Sequence, residues 1–489
     1  MKEKFQQAVY YILRLGSFPL SFLGIGLYRA WLATFFRYDV FPTITFNDYA
    51  IFEWAIGLTA LCVFFLAKRI APLTSRISVY IFTFFSLTLG SLFIIVGCFG
   101  EALYYLKFAG LVISGIGLGL LILMWTEFLG CLTPRRVAIH YSAAILLGEF
   151  LKWLFTGLLT SHIIFFSLTL PAASLLSLLF AFTHISQKRL PQTMLRDSNT
   201  PKTQNNIFLK KNFFKFDSLP WKIILLMIVC TFATGFAGLP DQPILAGNTF
   251  GSSLAALIVL TGTLSSSKWF NFDVIYQFAV PILGLSLILI APYFSAHSNI
   301  VVACYDAGYT MLTVLVAIVL SNLTYRYGIA AAWLNGIERG LRYVAEASGW
   351  GFFVFISKNL ATPVQNTLHV IIIVTIITIF IWLWISERKL SANWGINLNE
   401  HNIDYDVVSK GPKNDSPSIA VGNLSSQYDL TPREEEVLQL MSQKLSNKEM
   451  KQELFVSEGT IKSHTSHIYK KLGISGREEL NKLLGLDDN

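Results

Sequence analysis

Charge is what this 489-residue chain has least of. Only 14% of its residues are Asp, Glu, Lys or Arg, against roughly 25% in soluble globular domains. With 53% of the residues hydrophobic and a mean hydropathy of +0.54, an ordinary water-exposed fold is excluded. The five cysteines (Cys62, Cys98, Cys131, Cys230 and Cys304) sit singly in apolar stretches, which excludes a close-paired metal site and a disulfide framework. The eight histidines are scattered, and neither a P-loop nor an H-E-x-x-H pattern occurs. No catalytic residues, metal or cofactor are therefore expected, and the chain is read as a non-enzyme. The first residues, MKEKFQQAVYYILRLG, are basic but lack an A-x-A-like site, so no removable signal peptide is expected.

What is present is a series of apolar runs long enough to cross a bilayer, about 20 residues each. They begin near Ser17, Ala50, Ile77, Phe108, Ala138 and Ile163, and again near Trp221, Gly247, Phe272, Asn299, Gly328 and Thr367. The expected fold class is therefore all-α: a polytopic twelve-helix membrane bundle in two halves of six, followed by a small helical domain. The expected domains are residues 1–186 (first half), 187–220 (cytoplasmic linker), 221–386 (second half), 387–427 (flexible tether) and 428–489 (carboxy-terminal domain). Halves of nearly equal length are what an internal duplication produces.

Basic residues in short loops set the orientation. With the amino terminus inside, the inner loops hold Lys68, Arg69, Arg76, Arg135, Arg136, Lys268 and Arg326, and the outer loops only Arg37, Lys107 and Lys358. The expected location is thus a bacterial cytoplasmic membrane, multi-pass, with both termini cytoplasmic. The formal charge of +8 belongs to the membrane flanks, because residues 425–489 hold 9 Lys+Arg against 11 Asp+Glu. The tether, with "SKGPKNDSPS" at its centre, is coil-like. About 40 such residues span roughly 35 Å, too little to contain a phospho-receiver domain.

The last 62 residues carry start signals for four short helices. "TPRE" (Thr431, Glu434), "SNKE" (Ser446, Glu449) and "SGRE" (Ser475, Glu478) are capping boxes, in which a hydroxyl and an acid satisfy free N–H groups at a helix start; Ser457 is a plainer cap. Apolar residues at helical spacing supply an inner face: Val437, Leu438, Met441, Met450, Leu454, Ile461, Ile468, Leu472, Leu480, Leu483 and Leu484. A turn around Phe455 and Val456 makes the middle pair a helix-turn-helix. On the helix after it, Ile461, Ile468 and Leu472 share one side with Thr465, while Lys462, Ser463, Ser466, His467 and Lys470 occupy the other. Hydroxyls and amines on one face suit base edges and phosphates in a major groove; a solvated helix face is the plainer reading.

The stretch "LTPREEEVLQLMSQKLSNKEMKQELFVSEGTIKSHTSHIYKKLGISGREEL", residues 430–480, resembles the LuxR/NarL-type helix-turn-helix along its length. The resemblance implies that Lys462, Ser463 and Ser466 face bases of double-stranded DNA, that Thr460, Lys470 and Lys471 assist at phosphates, and that the last helix pairs two copies as a dimer on a near-palindromic operator. The six-plus-six membrane part is similar to the major facilitator superfamily, although "LAKRIAPLTSR", residues 66–76, lacks the acid and glycines of that family's loop motif. The combination resembles membrane-bound LuxR-type regulators.

Charges inside the apolar runs mark a candidate ligand site, since each costs about 2.5 to 3.5 kcal/mol at a helix centre. They are Arg29, Glu149, Lys152, Asp306 and the group Asn335, Glu338, Arg339, Arg342 and Glu346, the last five forming one polar stripe. At least one unpaired arginine is expected to receive a small molecule, anionic or aromatic, with Trp125, Trp153, Trp333 and Tyr343 available to stack; a self-satisfied buried network is the alternative. Glu127 and Glu53 lie nearer helix ends and are left out of the site. Three functions remain open: a ligand-responsive transcription regulator in the membrane, a secondary transporter with a regulatory DNA-binding tail, and a tethered repressor without a ligand.

Overall fold

The computed structural model describes residues 20–35, 40–41, 43–100, 103–183, 220–236, 249–265, parts of 275–286, 299–327, 329–359, 424–425, 428, 430–442, 445–454 and 458–483. Among them the regular structure is helix, without strands. The chain divides into two compact units, residues 1–386 and 387–489. The twelfth expected crossing, most of the linker and tether, and the turn at Phe455, Val456 and Ser457 lie outside the described residues, as do parts of the ninth crossing.

In the first unit the long helices are α1 (Gly24–Phe35), α2 (Phe46–Ile70), α3 (Ile77–Phe99), α4 (Tyr104–Leu129), α5 (Pro134–Phe155), α6 (Thr160–Thr183), α7 (Trp221–Phe236), α8 (Thr249–Leu264), α9 (Asn299–Tyr327) and α10 (Ala331–Asn359). Six of them, α2 to α6 and α9, are long and apolar enough to cross a membrane, and α1, α7 and α8 belong to shorter apolar helices. The 29 residues of α10 reach roughly 43 Å at 1.5 Å per residue, but its charged stripe lowers its hydropathy. Outward surfaces are apolar in the manner of lipid-facing helices: Ile81, Phe82 and Phe85 of α3 and Phe165 and Phe180 of α6 are exposed.

Lipid is as apolar as leucine, so helices in it associate through close fit more than through a hydrophobic drive. Small residues make the seams. A Cβ built on Gly26 of α1 would stand 2.4 Å from the Ala144 carbonyl oxygen of α5, and one on Gly57 of α2 would stand 3.2 Å from the Gly340 oxygen of α10. These contacts bring the polar residues of α1 and α5, and of α2 and α10, to common levels.

The second unit holds α11 (Pro432–Ser442), α12 (Asn447–Leu454), α13 (Glu458–Leu472) and α14 (Arg477–Leu483). Val437, Leu438, Met441, Met450, Ile461, Ile468, Leu472 and Leu480 form its buried core, with Leu454 packed against it. Leu483, expected on the inner face, is exposed. Gly473 adopts φ 68°, the left-handed conformation that closes a helix at low cost, and so ends α13. Two arginines tie the bundle by capping carbonyls that helix ends leave free. Arg433 Nη2 donates to the Leu454 oxygen at 3.1 Å, and Arg477 Nη2 to the Met441 oxygen at 3.3 Å.

Candidate nucleic-acid interface and membrane charge cluster

Two of the three expected capping boxes form as read. Thr431 N–H donates to Glu434 Oε2 at 2.7 Å and Glu434 N–H to Thr431 Oγ1 at 3.3 Å; Ser446 and Glu449 make the same exchange at 2.7 and 3.3 Å. The third differs. Because α14 starts at Arg477, Ser475 lies one place too early, and its N–H and hydroxyl both donate to Glu479, each at 2.8 Å, rather than to Glu478.

With its start placed by these caps, α13 turns Ile461, Ile468 and Leu472 into the core and leaves Lys462, Ser463, Ser466, His467 and Lys470 exposed. Thr460 is half-buried at the helix start. A groove of about 440 Å³ runs beside this face, lined by Lys462, Ser466 and Lys470 together with Asn447, Tyr469 and Ser475. Lys462 meets Glu458 one turn earlier at 3.1 Å, both side chains in the open. Lys471 stands differently: its Nζ donates to Glu434 Oε2 at 2.6 Å. Burial pushes the Glu434 carboxyl up, but the bonds from Lys471 and from the backbone and hydroxyl of Thr431 outweigh it and hold the group below the usual carboxylate range. Burial, assisted by Arg433, pushes His464 below the usual imidazole range, so this ring stays neutral near pH 7.

In the membrane unit, Arg29 of α1 reaches Glu149 of α5 at 3.1 Å, and Lys152 reaches the same carboxylate oxygen at 3.0 Å. Asp306 of α9 lies within electrostatic reach of all three. On α10, Arg339 stands 3.3 Å and Arg342 3.7 Å from Glu338. Tyr28 and Tyr141 lie within reach of both Arg29 and Arg342, so the two groups share one neighbourhood. Asn335 is buried, its amide donating to the Ala331 oxygen of its own helix at 3.1 Å.

The expectation of an arginine without an acid needs correction: each of Arg29, Arg339 and Arg342 has one within ion-pair distance. Glu149 and Glu338 each take two cations within ion-pair distance, while Asp306 and Glu346 lie within electrostatic reach of the same cations. Around Glu338 the contacts are charge contacts alone, for neither of its oxygens has a hydrogen-bond partner among the described residues, nor do Arg342 Nε and Nη1. Of the aromatic candidates, Trp125 donates to Ser174 at 3.1 Å in the core, Trp333 stacks on Phe64 and Trp153 is exposed. Tyr343 faces the charges, with Arg342 5.6 Å from its ring centre.

Several buried charges escaped the sequence reading, Asp48 and Arg135 among them. Glu127 accepts from Leu73 N–H at 2.8 Å and from the N–H and hydroxyl of Thr74 at 2.9 and 2.8 Å. The loop that has no acid of its own thus receives one from α4. Lys107, counted among outer-loop cations, is fully buried and meets Asp48 of α2 at 2.9 Å. Glu53, set aside as solvated, is 2% exposed. Proximity to a helix end was a poor guide, because other helices cover those ends.

The caps, core and exposed face define the second unit as a helix-turn-helix DNA-binding module, and the first as a multi-pass membrane unit. Residues 428–484 match the luxR family of bacterial regulatory proteins. The spore germination protein GerE of Bacillus subtilis is 46% identical over 50 residues, 10% of this chain and 68% of GerE. An HTH-type transcriptional regulator of Mycobacterium bovis is 47% identical over 51 residues, 10% of this chain and 6% of its own length. The chain spans only that small part of the mycobacterial relatives. The chain belongs to the luxR family. Its fold over 74% of the chain is similar to the crystal structure of a bacterial homologue of the iron transporter ferroportin in the outward-facing state, with a TM-score of 0.50, 13% identity and 98% of that chain covered. The membrane unit therefore shares its fold with that solved structure.

Proposed function

We propose that the chain is a one-component transcription regulator held in a bacterial cytoplasmic membrane, with both termini cytoplasmic. Residues 1–186 and 221–386 form the sensing halves, 187–220 a cytoplasmic linker, 387–427 the tether and 428–489 the DNA reader. A small anionic ligand meets the cations of Arg29, Lys152, Arg339 and Arg342, accompanied by Glu149, Asp306, Asn335, Glu338 and Glu346. The observation that supports this reading is the pair of buried Arg342 nitrogens that lack a hydrogen-bond partner among the described residues, beside a Glu338 whose own oxygens also lack one. A ligand that binds one arrangement of the bundle better than another shifts their populations; the tether passes the change on as altered pairing of two readers.

On DNA, Lys462, Ser463, Ser466 and His467 face base edges of a near-palindromic operator, and Thr460, Lys470 and Lys471 face phosphates. Pairing runs through α14, where exposed Leu483 supplies an apolar contact. The likeness to a transporter fold favours a second reading, a transporter with a regulatory tail. Vesicles containing the full chain and radiolabelled succinate, as an anionic probe, separate the two. Saturable binding without accumulation, lost in Arg342→Ala, supports the sensor, and net accumulation supports the transporter.

A further inference from the structure

One end of the membrane unit is packed shut, and the charged residues lie toward the other. The shut end carries the 70–77, 130–134 and 327–331 connections. Three contacts cross there between the first six helices and the later ones. A Cβ built on Gly130, at the end of α4, would stand 2.6 Å from the Thr324 side chain of α9. Arg135 of α5 donates through Nη2 to the Thr263 oxygen of α8 at 3.2 Å. Trp333 of α10 stacks on Phe64 of α2 with ring centres 5.5 Å apart. Burial agrees with these contacts. Every residue from 121 to 129 on α4, from 311 to 324 on α9 and from 331 to 340 on α10 is buried. A helix buried on all its faces has neighbours all round, so the space between the two sets of helices is filled at this level.

Toward the other end the pattern reverses. Lys152 of α5, Asp306 and Tyr309 of α9, and Tyr343 and Glu346 of α10 are half-buried, and the Arg29 side chain is 24% exposed. Arg29 lies close before the end of α1 and Asp306 close after the start of α9, each about 10 Å along a helix axis. A charge turned to lipid costs about 2.5 to 3.5 kcal/mol at a helix centre, so the exposed parts of these side chains meet water. Because the packed end blocks one approach, that water enters from the end where α1 finishes and α9 begins.

We infer that the charge cluster opens to the outer aqueous phase and is shut off from the cytoplasm, so that its ligand is drawn from outside the cell while the DNA reader works within. This rests on the anionic site and the orientation given under Proposed function. The regulator then reports an external anion in place of a metabolite of the cell's own interior.

The test uses the full chain in right-side-out and inside-out membrane vesicles, with a membrane-impermeant anionic methanethiosulfonate as the probe. Tyr309→Cys on α9 and Tyr343→Cys on α10 put a thiol at the wetted level, and Ser321→Cys puts one in the packed end. Labelling is counted as the gain over wild type, whose Cys62 and Cys304 are exposed. Both tyrosine variants are expected to gain label at least tenfold faster in right-side-out vesicles, with radiolabelled succinate binding there and slowing the reaction. Ser321→Cys gains label in neither. Two variants on different helices guard against misfolding of either. Faster labelling in inside-out vesicles, or labelling of Ser321→Cys from the cytoplasmic side, overturns the inference. No gain at either tyrosine position from either side overturns it as well. Labelling from outside without any binding of succinate supports the outer opening and overturns the anionic site.

Discussion

Lys471, near the end of α13, donates to Glu434 at the start of α11 across 2.6 Å, joining the helix with the exposed lysine- and serine-bearing face to the helix that begins the domain. The same carboxylate accepts the Thr431 N–H, so one acid serves as cap and as tie. A lysine held in this way gives less to a phosphate than its neighbour Lys470, which is exposed.

The first prediction follows from that contrast. In gel shifts with the full chain in detergent across a salt series, Lys470→Ala weakens binding and lowers the slope of log K against log salt by about one. Lys462→Ala, at a base edge, instead costs about 1 to 3 kcal/mol and relaxes the sequence preference. Lys471→Ala changes the slope by less and lowers the unfolding midpoint of the DNA-binding unit instead. Equal slope changes at Lys470 and Lys471 would show that the tie to Glu434 opens on DNA.

Acid weakens that tie. The folded Glu434 carboxyl titrates below its unfolded value near 4.3, so its contribution is fully present above that value and is lost as pH falls through the lower, folded value. At neutral pH Glu434→Gln costs about 1 kcal/mol, a figure reduced for the partly exposed lysine. The stability difference between wild type and variant, measured by chemical denaturation, shrinks as pH falls from the unfolded value through the lower, folded one. A difference that did not change over that fall would show that the carboxylate charge is not its source.

Asp48 and Lys107 present the opposite case, a buried pair. Removing one partner strands the other, at a cost of about 3 to 5 kcal/mol. Lys107→Met alone therefore lowers the thermal midpoint of the membrane unit sharply, and Asp48→Leu combined with Lys107→Met recovers much of the loss. Two single effects that simply added in the double variant would disprove the coupling.

Gly26 offers a steric test. A methyl group there meets the Ala144 oxygen at 2.4 Å, so Gly26→Ala forces α1 from α5 and separates Arg29 from Glu149. Loss of the monodisperse peak in size-exclusion chromatography is expected, at a cost of about 1 to 3 kcal/mol or more. Arg29→Gln, which leaves the seam intact, keeps the peak.

Local order was legible in the chain itself. Capping boxes, helical periodicity and apolar run length are properties of residues a few places apart, and so α11 to α13 and six of the twelve expected crossings appeared as helices of membrane-spanning length where expected. Ser475 shows the limit of that reading: the box pattern was present, but the helix began two residues later and a different glutamate closed it. The stripe on α10 was likewise visible as a set of residues sharing one face. Its partners were not, since nothing near Arg29 in the chain points to Glu149, 120 residues away.

Sequence alone determined that most of this protein lies in lipid and that its last helices present a basic, hydroxyl-bearing face, because composition and period act over short spans. Tertiary structure alone decided which charges meet. Lys107 with Asp48, Glu127 with the Thr74 loop, and Arg29 with Glu149 come together only through helix seams whose closeness depends on glycines far apart in the chain. Ion pairing in a bilayer depends on distances of a few ångströms between helices, and linear order does not specify them.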